Sequence, residues 1–90
     1  MVTIPILADV FGTKIGEIKV DENTISINHP SLKLTVSTGY LYDVMLVEKK
    51  ELGKIKAKII LYDTVGIKNE IDAIMTESNF FLLKSFIKRR

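Results

Sequence analysis

The chain has 90 residues, of which 47% are hydrophobic and 27% charged, with a formal net charge of +2, five Gly, two Pro and no Cys. Size scaling allows such a chain one core, burying about 64% of the surface it exposes unfolded, and the composition excludes a disordered or low-complexity chain. The absence of Cys removes disulfides, thiolate metal sites and thiol catalysis together.

Val2, Ile4, Ile6, Ala8 and Val10 alternate with Thr3, Pro5, Leu7, Asp9 and Phe11, the period of a strand with one buried face. Pro5 cannot donate to a ladder, which places this strand at an edge or seam. Gly12-Thr13 permits a turn, and Gly16, Ile18 and Val20 line one side of a second strand running from Lys14 to Val20. After the polar turn Asp21-Glu22-Asn23, Ile25 and Ile27 mark a short third strand, which Asn28-His29-Pro30-Ser31 breaks. Leu32, Leu34 and Val36 then give a half-buried fourth strand.

Tyr40 to Val47 is apolar at nearly every position, with Asp43 its only charge. Such a run predicts a strand that is central or covered on both sides. Beyond the solvated turn Glu48 to Gly53, Ile55, Ala57, Ile59 and Leu61 alternate with Lys54, Lys56, Lys58, Ile60 and Tyr62, a clear half-buried strand. Asp63-Thr64-Val65-Gly66 reads as a hairpin connection. The segment 67–76 fits either a strand face (Ile67, Ile71, Ala73, Met75) or a helix (Ile67, Ile71, Ile74, Met75), and the strand reading is favoured because the preceding strand otherwise lacks a partner.

From about 77 to 89 the period changes to that of a helix: Phe80, Leu82, Leu83, Phe86 and Ile87 share one arc. Thr76 or Ser78 serves as N-cap, and Lys88, Arg89 and Arg90 stand where the helix dipole favours cations. Phe81 points instead to the polar side, between Lys84 and Lys88. The expected architecture is one domain spanning 1–90, mainly β with one C-terminal α-helix. Strands fill about 2–76, and about seven of them form a rolled antiparallel sheet or partly open barrel capped by the helix.

This order resembles the pleckstrin-homology-like superfold in a GRAM-like version. The segments that carry the resemblance are GEIKV, TISI, LKLTV, LYDVMLVE, IKAKIILYD, IKNEIDAIM and NFFLLKSFI, between Gly16 and Lys88. It implies a final helix that plugs one open corner of the barrel. It does not bring phosphoinositide binding with it, because the first hairpin offers only Lys14 and Lys19 among Glu17, Asp21 and Glu22. The chain is also similar in its opening ADV-G segment and strand order to the amino-terminal part of the archaeal taxis adaptor CheF. That likeness implies an adaptor between a chemotaxis system and the archaeal motility apparatus. A third likeness, of DVFGTKIGEI to the opening of the PRC-barrel, covers ten residues only.

The catalytic inventory is thin. His29 is the sole histidine and sits in a turn sequence, so it reads as structural. Asp21-Glu22-Asn23 lacks the ligand spacing and central Gly of a calcium loop, and Gly12 to Gly16 lacks the order of a phosphate loop. Asp43, Asp63 and Asp72 fall on separate segments, with nothing to pair them for acid-base work. The expectation is a cytoplasmic non-enzyme without cofactor or metal, and the opening Met-Val-Thr-Ile-Pro lacks the basic start of a signal peptide.

Charge is uneven, with three Lys against five acids in residues 1–45 and ten bases against six acids in residues 46–90. Besides the unpaired edge of an open strand, to which a partner could add a strand, two surfaces follow. Phe81, Lys84 and Lys88 form a candidate protein-binding face, since an aromatic among basic residues suits an interface anchor. Lys54, Lys56 and Lys58, about 7 Å apart along one strand face and preceded by Lys49 and Lys50, form a candidate anion-binding comb for nucleic acid or an anionic membrane. Another protein is the expected partner.

Overall fold

A computed structural model describes residues 1–87 of the chain. Seven strands, β1 (Val2–Leu7), β2 (Lys14–Val20), β3 (Thr24–His29), β4 (Leu32–Ser37), β5 (Leu41–Lys49), β6 (Lys54–Tyr62) and β7 (Lys68–Thr76), precede one helix, α1 (Glu77–Lys84). They form a single antiparallel sheet in the order β4-β3-β2-β1-β7-β6-β5. The mainly-β fold with a C-terminal helix is as the periodicity predicts, and the ambiguous segment is strand over Lys68–Thr76, with Ile67, expected on its apolar face, left exposed before the strand begins.

The core is the inner face of this sheet. Ile4, Ile6, Ile18, Ile25, Ile27, Ile55, Ile59 and Leu61 are all buried, with Phe80 and Leu83 of α1 closing over them. The alternation in β6 shows why: each inward position is Ile, Ala or Leu, whereas Lys54, Lys56 and Lys58 stand on the outer face.

Between β1 and β7 the ladder narrows to one pair, Leu7 opposite Ile74. Pro5, which has no N–H to give, pairs only with Glu17 of β2, so β1 lies at a seam as its proline requires. The seam is reinforced from the end of β3. With its proton on Nε2, His29 donates to the Asp72 carbonyl of β7 at 3.0 Å, and its Nδ1 accepts from the Ser31 N–H at 3.0 Å. The sheet coils enough for this because β2 carries Gly16. A Cβ there would lie 2.1 Å from the Asn28 carbonyl oxygen, so the β3 backbone occupies the space where a side chain would stand.

Two turns share one construction that the sequence reading did not connect. Asp9 Oδ1 accepts from the N–H groups of Phe11 (3.0 Å) and Thr13 (3.2 Å), and Asp63 Oδ1 from those of Val65 (3.0 Å) and Ile67 (2.9 Å). The third residue after each Asp is a glycine of positive φ, Gly12 at 93° and Gly66 at 84°. Each turn thereby lifts one apolar side chain into solvent, Phe11 at 82% and Val65 at 77% exposure.

The hydrogen bonds from Thr13, followed by those from Phe11 and Gly12, hold the Asp9 carboxyl below its ordinary pKa. A lowered folded pKa means that the ionised turn is fully held above the usual value of 3.8 and loosens as pH falls through the folded value. A carboxyl NMR titration should therefore place Asp9 below 3.8; a midpoint at or above that value removes this account of the turn.

Two expectations are corrected. β5 is not central; it is the outermost strand beside β6. The helix is shorter than 77–89, ending at Lys84. Its N-cap is Thr76, whose hydroxyl accepts from Asn79 N–H at 3.1 Å. At the other end the Ser85 hydroxyl donates to the Leu82 carbonyl, and the Phe86 and Ile87 N–H groups bond three residues back rather than four. Phe86 and Ile87 are thus half-buried in a closing turn, while Leu82 is partly exposed. The dipole-capping role expected of Lys88, Arg89 and Arg90 lies outside the described residues.

Candidate interaction surface

β5 owes its unusual character to two irregularities. Its ladder with β6 shifts register between Leu41 and Asp43 and again between Leu46 and Glu48, leaving Tyr42 and Val47 without cross-strand partners. Each extra residue is a bulge, which resets the alternation of side chains between faces. Leu41 and Val44 therefore reach the core, whereas Met45, Leu46 and Val47 in succession are about half exposed, Val47 at 52%. Among the described residues no strand pairs with the outer side of β5.

Helix α1 lies beside this edge and is tied to it at both ends. Lys49 Nζ is 3.6 Å from Glu77 Oε2 in the first turn of the helix. In the last turn, Lys84 Nζ donates to the Val44 carbonyl at 3.1 Å and stands 5.8 Å from the centroid of the Phe80 ring. Phe81 is 60% exposed and meets Phe80 edge-on at 5.3 Å between centroids. Of the sequence-predicted face, Phe81 is thus on the surface as its helical position requires and Lys84 serves to hold the helix on β5. Lys88 lies outside the described residues.

At the far end of β5 the turn into β6 holds Leu52 at a φ of 58°, a left-handed conformation uncommon for a branched apolar side chain, and leaves it exposed. The Gly53 carbonyl accepts from Glu77 N–H at 3.0 Å. Turn, strand edge and helix start are therefore one connected unit.

The five lysines of the comb are not brought onto one surface. Lys49 stands opposite Ile55, a core residue, and so lies on the inner face, while Lys54, Lys56 and Lys58 share the outer face. Across the strands Lys56 faces Glu48 and Lys58 faces Asp72, with Glu70 at 3.6 Å from Lys58 and Glu48 at 3.2 Å from Lys50. β6 is an interior strand, and its outer face is a mixed-charge surface rather than a basic stripe.

The sequence reading allowed for an open strand edge but did not assign it to β5, although one signal was present: the apolar run ends in the charged stretch Glu48-Lys49-Lys50-Glu51. Among the described residues no group of three or more His, Cys, Asp or Glu could hold a metal ion. Among the described residues no helix is long and apolar enough to cross a membrane. No family model, curated protein or solved structure matches the chain.

Proposed function

We propose that the chain is a small, non-catalytic, pleckstrin-homology-like adaptor that binds another protein along the β5 edge and the adjoining side of α1. One observation carries this reading. A nine-residue strand forms an open sheet edge and displays Met45, Leu46 and Val47 to solvent. Sheet edges are ordinarily protected by charge, brevity or cover, and the opposite edge, β4, has six residues with Lys33 exposed upon it. An extended segment of a partner would satisfy the free main-chain groups of β5 and cover its apolar side chains, with Phe81 as a neighbouring anchor. The likeness to CheF would set such an adaptor between taxis and motility machinery.

The test is retention of proteins on the immobilised chain at physiological and high salt, with and without nuclease. A discrete protein held through high salt and nuclease, and reduced about tenfold or more by Met45→Lys/Val47→Lys, fits strand addition at an edge. Retention that disappears as salt rises, and with charge reversal of Lys54, Lys56 and Lys58, would instead assign the chain to an anionic partner.

A further inference from the structure

We infer that the β5 edge takes a second copy of this chain, pairing antiparallel with its own two-fold mate about Leu46. This rests on the reading of β5 as the interaction edge and names the occupant of that edge.

The inference comes from the pattern of side chains along β5. In a two-fold antiparallel pair one residue lies opposite itself, and its neighbours pair symmetrically outward with side chains on the same face. The bulge at Val47 drops out of this alternation. Asp43, Met45 and Glu48 therefore occupy the outer face with Lys50, which stands beside Glu48, and Val44, Leu46 and Lys49 occupy the inner one.

Centring the pair on Leu46 sets Leu46 against Leu46, Met45 against Glu48, Val44 against Lys49 and Asp43 against Lys50. The last pair joins opposite charges and occurs twice. Other centres fail on charge or length. Met45 at the centre puts Asp43 opposite Glu48, while Glu48 or Lys49 there opposes like charges. Val44 there leaves little more than the start of the strand to pair. Like charges directly opposite destabilise a ladder, and opposite charges favour it.

Val44 is fully buried, its carbonyl accepting from Lys84 Nζ at 3.1 Å and its N–H donating to Asp43 Oδ1 at 2.8 Å. Pairing there exchanges these two internal bonds for those of the incoming strand and frees the half-exposed Asp43 carboxylate for Lys50.

Sedimentation equilibrium of the 90-residue chain over a concentration series tests this, with circular dichroism to confirm that each variant is folded. The wild type is expected to dimerise. Asp43→Lys and Lys50→Glu should each raise the dimer dissociation constant about tenfold or more, because each replaces two attractive cross-strand pairs with two repulsive ones. An equimolar mixture of the two variants should dimerise again, since both of these cross-strand pairs then join opposite charges, one in the native sense and one reversed. A wild type that stays monomeric at every concentration overturns the inference, as does a dimer indifferent to both substitutions or a mixture that fails to recover. A monomer that still captures a foreign protein through Met45 and Val47 would overturn self-pairing alone and leave the adaptor reading standing.

Discussion

Leu83→Asp should leave the chain without a cooperative unfolding transition. Leu83 has no solvent exposure and stands between α1 and the inner face of the sheet. Removing a leucine from such a place costs about 2–5 kcal/mol, and a buried carboxylate without a partner costs several more. A domain of this size holds only about 5–13 kcal/mol in total. Leu83→Ala, which omits the charge, should fold but lose about 2–5 kcal/mol in urea denaturation. Phe81→Asp, close by in sequence but facing solvent, should change stability by less than about 1 kcal/mol. Phe86→Asp should fall between them, because the ring is half-buried rather than seated in the core. Equal stabilities for Leu83→Asp and Phe81→Asp would remove the assigned helix orientation.

The second large effect is expected at Gly16→Val. A Cβ at this position would come within 2.1 Å of the Asn28 carbonyl oxygen, and the obstructing atom belongs to the backbone rather than to a side chain that could swing aside. The end of β3 must then lift off β2, carrying His29 away from Asp72. Overpacking of this kind costs about 1–3 kcal/mol or more. The expected signature is a lowered urea midpoint together with faster amide exchange in β3 and β7. His29→Ala should reproduce a smaller part of that exchange pattern, since it breaks the same link without displacing backbone. A Gly16→Val protein as stable as the wild type would mean that β3 does not close over β2 here.

The sequence shows most clearly those elements whose side chains obey a single period. In β6 the alternation of Ile55, Ala57, Ile59 and Leu61 with lysines survives intact because its ladder with β7 has no irregularity. β5 misleads for the opposite reason: two bulges break the period, so an apolar run that implies cover on both faces instead spills onto an exposed edge. The arc of α1 is legible through Leu83, but the apolar spacing continues past Lys84 into a tighter turn, and spacing alone does not register that change. Lys49 shows the same limit for the lysine comb. It adjoins Lys50 in sequence, yet its pairing with Ile55 places it on the inner face. Phe81 was legible because helical phase alone decides its exposure.

The single Leu7–Ile74 pair between β1 and β7 has a consequence for how the molecule is put together. Every other ladder joins strands adjacent in sequence, so β1–β4 and β5–β7 with α1 are two consecutive meanders, connected through the 3-10 turn Thr38–Tyr40. Each can zip up hairpin by hairpin from local contacts, the rapid regime for a β-rich chain, and their joining is a docking event between preformed halves. A cut in that connecting turn severs no ladder, which makes this fold a natural candidate for reassembly from two separately produced fragments.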